Sequence, residues 1–157
     1  MRGRELETVK AWVAARGGVV SFHQLSEETP TVAETARVLG VPTDAVMKSL
    51  LFHVAGAFHL IIANGERRVS ERRLAEAFGV GRKKVRMASA DEALGLTGFR
   101  VGAMPPFGHP RPLPTVVDRA ALLQGRLWGG TGDPLALCSL TPQELVRLTE
   151  ARILDVT

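Results

Sequence analysis

The stretches VMKSLLFHV (46–54) and AFHLIIA (57–63) are apolar at almost every position and meet around Gly56. Successive side chains of a strand point to opposite faces, so a strand with one wet face alternates apolar and polar residues. These two do not alternate. The pair predicts a hairpin buried on both faces, which needs a sheet covered on each side. The rest of the chain has to furnish that cover.

The flanking sequence is divided by caps and glycines. Leu6, Val9, Lys10 and Val13 follow helical spacing, and Gly17-Gly18 supplies a stop. VVSF (19–22) reads as a short strand, and Thr31 to Glu34 spells a capping box for a helix that Gly40 ends. Asn64-Gly65 makes a turn, Ser70 caps a helix through Phe78 to Gly79, and KKVRM (83–87) reads as a strand. A second capping box, Ser89 to Glu92, opens a helix expected to stop near Gly95. PTVV (114–117), RLW (126–128) and LALCS (135–139) read as strands, with a short helix between the first two. Thr141 to Glu144, with Pro142 at the first helical position, opens a last helix before ILDV (153–156) closes as a strand. Helices and strands interleave without βαβ regularity, so a mixed sheet of the α+β type is expected. With 157 residues and no repeat or linker, a single domain over 1–157 is expected.

The chemistry is narrowed by what is missing. No apolar run approaches the ~20 residues that span a bilayer. The N-terminal stretch lacks the apolar centre of a signal peptide, so a cytoplasmic protein is expected. The single cysteine, Cys138, lies in the apolar LALCSL and reads as a small buried hydrophobe rather than a reactive thiol. The four histidines are scattered without metal spacing, and His53 and His59, on opposite arms of the hairpin, are too few for a zinc site. HExxH, GxSxG and P-loop motifs are absent, so no metal and no cofactor are expected.

Charge is uneven. Between Arg67 and Arg86 stand Arg67, Arg68, Arg72, Arg73, Arg82, Lys83, Lys84 and Arg86 against only Glu71 and Glu76, so +6 is concentrated there while the whole chain carries +4. Such a stripe suits a polyanion such as RNA; it also suits a solvated helix face followed by a charged turn. Lys48 falls within the apolar hairpin, on the face of Leu50, Phe52 and Val54. A lysine there either snorkels to the strand end or points into a cavity holding an anionic or carbonyl partner. Residues 101–110, VGAMPPFGHP, mix glycines and prolines far beyond what a connector needs.

PTVAETARVLGV, VMKSLLF, VGAMPPFG, and WGGTGDP ahead of LTPQELVRLT occur in the order seen in YbaK-type aminoacyl-tRNA editing domains, also called the prolyl-tRNA editing or ProX family. The resemblance runs from about Val19 to Val156. It implies a mixed, partly rolled, barrel-like sheet surrounded by helices. It further implies hydrolysis of the ester joining a wrong amino acid to tRNA, commonly alanine or cysteine on tRNA for proline, by a free-standing editor acting in trans. The partners implied are tRNA and prolyl-tRNA synthetase. Lys48 matches the family's functional lysine, and Gly102 to Pro106 its Gly-x-x-x-Pro loop. Gly130, Thr131, Gly132 and Asp133 fall at its second pocket loop. Two departures bear on the accepted amino acid: some members carry histidine where Gly132 stands, and others serine near Trp128.

On this reading the N–H groups of Gly102, Ala103 and Met104 would stabilise the oxyanion of the tetrahedral intermediate, each donor worth roughly 3 kcal/mol. Pro105 and Pro106 would hold the loop rigid. Lys48 would orient the 3′-terminal phosphate or the ester carbonyl rather than act as a base, since no neighbouring cation is visible to lower its pKa. Water held by backbone carbonyls, or the thiol of a cysteine substrate, would attack. Met104 and Trp128 would exclude proline, and the basic stripe would hold the acceptor stem. Two other functions fit the same residues: a non-catalytic RNA- or protein-binding module on the same fold, and a hydrolase of small esters that uses no tRNA.

Overall fold

The computed structural model describes residues 4–157. At its centre, β2 (Met47–Val54) and β3 (Ala57–Asn64) pair antiparallel from Met47 opposite Asn64 to Val54 opposite Ala57. Ala55 and Gly56 make the turn, with φ of 51° and 89°, the handedness that suits a two-residue hairpin. Leu60 and Ile62 enter one buried cluster with Met47 and Leu51, whereas Ile61 joins Phe52 and Val54 in another. Each side chain of this size contributes about 1.5–3 kcal/mol on full burial. A one-residue slip would set all of them against the wrong neighbours, so the register is fixed from both sides.

The hairpin is the middle of a five-stranded sheet. β4 (Val85–Met87) flanks β2 antiparallel; β5 (Thr115–Asp118) and then β8 (Arg152–Leu154) extend β3 in parallel. The sheet is therefore mixed, as expected. A second, antiparallel sheet in the order β1-β7-β6 comprises β1 (Ser21–Gln24), β6 (Leu127–Gly130) and β7 (Ala136–Leu140). The two sheets touch through a parallel bridge between Val46 and Trp128 and do not close into a barrel.

Cover comes from both sides. α1 (Arg4–Ala15), α4 (Ala90–Thr97), α5 (Pro142–Thr149) and the second sheet bury the face of Leu60 and Ile62. α3 (Glu71–Phe78) buries the other face through Leu74 and Ala75. α2 (Val32–Leu39) starts at Thr31, whose hydroxyl accepts the Glu34 N–H, and stops at Gly40 in the left-handed region.

Four local expectations are corrected. α4 runs through Gly95 and ends at Gly98 (φ 77°), because Gly98 rather than Gly95 takes the left-handed cap. Arg82–Lys84 form a 3-10 turn, so only 85–87 are strand. β1 begins at Ser21 rather than Val19, whose N–H donates to the Glu144 carboxylate at 2.6 Å. β6 extends beyond RLW into Gly129 and Gly130. Cys138 is fully buried, and burial pushes its thiol up to about 12, which keeps it protonated as a small hydrophobe. No helix among the described residues is long and apolar enough to cross a membrane.

The C-terminus is fastened by one buried carboxylate. Asp118, 2% exposed, accepts the Val156 N–H at 2.8 Å and the Thr157 hydroxyl at 3.1 Å. Replacing Asp118 with alanine leaves the Val156 N–H buried without a partner, and such losses cost about 1–3 kcal/mol. Asp118→Ala is expected to lower the denaturation midpoint accordingly without changing the slope of the transition in urea.

Candidate active site

Where β2 leaves its sheet and meets β6, the two sheets part and open a cavity of about 370 Å³. Val46, Met47, Lys48, Ser49 and Leu50 form its floor, Gly129 and Gly130 one wall. The loop residues Val101, Gly102 and Met104 form a second wall, and Thr29 to Ala33 close the third. A smaller cavity of about 180 Å³ adjoins it, sharing Gly102 and Gly130 and adding Glu28, Arg100, Ala103 and Asp133. Lys48 therefore does both things the sequence allowed: it reaches the strand end and it lines a cavity.

Lys48 is held rather than loose. Its Nζ donates to the Arg67 carbonyl at 2.7 Å. That carbonyl is itself placed by the turn after β3: the Gly65 N–H bonds the Val46 carbonyl at 2.9 Å, and the buried Asn64 amide donates to the Asp44 carbonyl at 2.8 Å. Burial lowers the Lys48 pKa from 10.5, the nearby Arg68 lowers it further, Glu66 opposes the shift, and Arg67 adds to it. The expectation that no cation lies near Lys48 is thus corrected. Arg67 lies 19 residues on in sequence and Arg68 directly follows it, beyond the reach of a local reading.

The loop after α4 presses backbone against backbone. The Gly132 N–H donates to the Ala103 carbonyl at 2.7 Å. A Cβ built on Gly130 would stand 2.8 Å from the carbonyl oxygens of both Ala103 and Met104, so only glycine permits the approach. Gly102 takes φ 94°, again a glycine conformation. One expected donor is lost: the Ala103 N–H is committed to the Arg100 carbonyl at 3.2 Å in a turn. The Gly102 and Met104 N–H groups carry no such bond.

The first turn of α2 supplies donors that sequence reasoning missed. Val32 and Ala33, in the first turn where backbone N–H groups have no intrahelical partner, are among the residues that line the cavity. The turn is fixed by the buried Thr35 hydroxyl, 3.0 Å from the Thr29 carbonyl and 2.9 Å from that of Thr31. The signal was present in PTVAETARVLGV, where the capping box marked a helix start without showing what the start faces.

Other anticipated residues stand away from the cavity. The Trp128 ring packs on His23 with centroids 4.5 Å apart and does not line it. Thr131 is fully buried and bonds the Ala136 carbonyl at 2.9 Å, a scaffold role. Asp133 reaches only the smaller cavity, where its carboxylate also accepts the Leu135 N–H at 2.9 Å. Pro105 lines neither cavity, and Pro106 faces a separate hollow beside Trp12. His109, in the same loop, is a strut. Its Nε2 donates to the Pro105 carbonyl at 2.9 Å and its ring meets Phe99 edge-on. Burial lowers its pKa, so the ring is held neutral with the proton on Nε2.

Residues 26–148 match the family model of the aminoacyl-tRNA editing domain. The chain belongs to this family. It is 27% identical to the uncharacterized protein YwhH of Bacillus subtilis over 131 residues, 83% of this chain and 82% of that one. It is also 30% identical to a proline–tRNA ligase of Staphylococcus aureus over 82 residues, half of this chain but 14% of the ligase. In three dimensions it superposes on a crystal structure of a protein proposed as a trans-editing enzyme for prolyl tRNA synthetase, with TM-score 0.89 and 31% identity, covering 98% of this chain and 97% of that one.

The structure divides the basic stripe into paired and unpaired cations. Arg72 pairs with Glu76 at 3.0 Å, Arg82 with Glu71, and Arg86 with Glu92 through two bonds of 2.7 and 2.9 Å. Arg68, Arg73, Lys83 and Lys84 have no ion-pair partner among the described residues. The stripe starts at Arg67 and Arg68, both near enough to act on the Lys48 charge, and continues along α3 to the turn before β4.

Gly130→Ala should cost about 1–3 kcal/mol, because two carbonyl groups must move to admit the methyl. Gly95→Ala, in an open stretch of helix, should instead stabilise by about 0.5–1 kcal/mol. Thermal melts of both variants check the pair.

Proposed function

We propose that the chain is an aminoacyl-tRNA deacylase acting in trans, hydrolysing the ester of alanine or cysteine mischarged on tRNA for proline. The observation that carries this reading is the cavity itself: it is lined by one lysine, by Gly102 and Met104, whose N–H groups have no backbone partner among the described residues, and by the first turn of a helix. No histidine or cysteine lines it. Of the hydroxyl residues that line it, Thr35 is bonded to the Thr31 carbonyl and Thr31 to Glu34, and Ser49 has no base bonded to it among the described residues, so the proposed chemistry rests on positioning and fixed dipoles.

In the proposed reaction, water adds to the ester carbonyl carbon. The Gly102 and Met104 N–H groups receive the negative charge that develops on the carbonyl oxygen, and being prefixed they need no reorganisation. The carbon–oxygen bond to the ribose then breaks, the ribose oxygen takes up a proton, and the amino acid leaves as its carboxylate. Lys48 orients the substrate by its charge, holding the 3′-terminal phosphate or the ester carbonyl. With a cysteine substrate, its own thiol can attack in place of water: the sulfur–carbon bond forms, the carbon–oxygen bond to the ribose breaks, the ribose oxygen takes the thiol proton, and the thiolactone released is then hydrolysed by water. Proline exclusion rests on Met104, which is 5% exposed and rigidly packed. The likeness to a protein proposed as a trans-editing enzyme for prolyl tRNA synthetase supports that synthetase as a partner.

A panel of tRNAs charged with alanine, cysteine, serine or proline tests the proposal. Release of alanine or cysteine with proline spared is expected. Lys48→Ala should lower that rate by about a hundredfold or more, the scale of losing a positioning and electrostatic contact. tRNA binding without release from any substrate would favour the binding module instead, and release of small esters alone the third reading.

If the unpaired cations of the stripe hold the acceptor stem through phosphates, affinity falls linearly in logarithmic salt. Replacing Arg68, Arg73, Lys83 and Lys84 with alanine should flatten that slope. An unchanged slope would show that the stem binds elsewhere.

A further inference from the structure

Two charged residues, Lys48 and Glu66, are among those that line the main cavity. Lys48 has a partner in the Arg67 carbonyl. Glu66 makes no ion pair or side-chain hydrogen bond among the described residues, yet its charge is close enough to raise the Lys48 pKa against three lowering influences. Its backbone is fixed on both sides. Gly65 before it bonds Val46, Arg67 after it holds Lys48, and the Arg67 guanidinium donates to the Asn64 side chain at 3.4 Å. A carboxylate is thus presented at the cavity rim with no partner of its own.

We infer that Glu66 binds the α-ammonium of the aminoacyl group. This rests on the deacylase reading above. An aminoacyl ester carries a cation two bonds from the carbonyl carbon, and an anion on the other side along the nucleotide. Lys48 answers the anion and Glu66 the cation. The arrangement fixes the direction in which the ester lies across the Gly102 and Met104 N–H groups. Glu66 is a positioning residue: it touches the part of the substrate that does not react. Glu28 and Asp133, the other carboxylates nearby, line only the smaller cavity, and Asp133 is already engaged with the Leu135 N–H. The binding also separates a free aminoacyl ester from one whose nitrogen is acylated, as in peptidyl- or formyl-aminoacyl-tRNA.

The test compares the aminoacyl-tRNA that the wild-type protein hydrolyses fastest with its N-acetylated form, in which the nitrogen carries no charge. Wild type should prefer the free amine by about tenfold in kcat/KM, expressed mainly in KM, the scale of one partly exposed charge-assisted contact. Glu66→Gln should collapse that ratio to near one, and Glu66→Asp should restore part of it. Loss of Glu66 also lowers the Lys48 pKa further, but that change acts on both substrates and leaves their ratio alone. A wild-type ratio near one, or a ratio unchanged in Glu66→Gln, would overturn the inference while leaving the deacylase reading intact. Absence of hydrolysis with every charged tRNA would overturn both.

Discussion

The site depends on one close approach, that of the 101–104 backbone to Gly130 at the end of β6. Two carbonyls lie where any side chain at position 130 would stand, and the Gly132 N–H bonds one of them. Without this contact the loop would have no fixed distance from β2, and the cavity would lose the wall that Gly102 and Met104 give it opposite Lys48. The approach costs conformational freedom in a glycine-rich segment. It is offset by burial around it: Met104 and Phe107 on the loop join the same core as Leu60 and Ile62. The hairpin core therefore holds both sides of the cavity at once, β2 directly and the loop through its apolar anchors.

That shared core explains which parts of the molecule were readable from sequence. The hairpin was legible because its register is dictated by apolar residues on both faces, a pattern that survives any tertiary context. Thr31, Ser70, Ser89 and Thr141 each announced a helix, since a hydroxyl accepting an N–H three residues on is a local event. Gly95 misled because glycine can be tolerated inside a helix when the next one, Gly98, takes the left-handed cap. Position 95 meets nothing within 4 Å, so neither packing nor strain marks the difference.

The site was legible in its inventory and less so in its roles. Lys48, Gly102, Met104 and Gly130 come together as the motifs implied. Trp128 and Pro106 do not, because a motif gives proximity along the chain and says nothing of which side a ring or a proline faces. Ala103 was counted as a donor by position, but its N–H closes a turn on Arg100. Arg67, Arg68, the Glu66 carboxylate and the first turn of α2 needed the fold. Each meets Lys48 or its cavity across a distance in sequence that no periodicity reports.

The charges around Lys48 carry a consequence for stability. A lysine whose folded pKa is below 10.5 binds its proton less readily in the native chain than in the unfolded one. The resulting cost is fully present below the folded value, and it is relieved as the pH rises through the window up to 10.5. At neutral pH the native protein therefore bears that cost in full. Burial is its largest cause, and the two arginines add to it. An anionic group of a substrate placed beside Lys48 reverses the sign of the local field and raises the lysine pKa. Binding then recovers what folding lost, so the strain becomes affinity for an anion in that position. Glu66 provides a lesser, permanent version of the same relief.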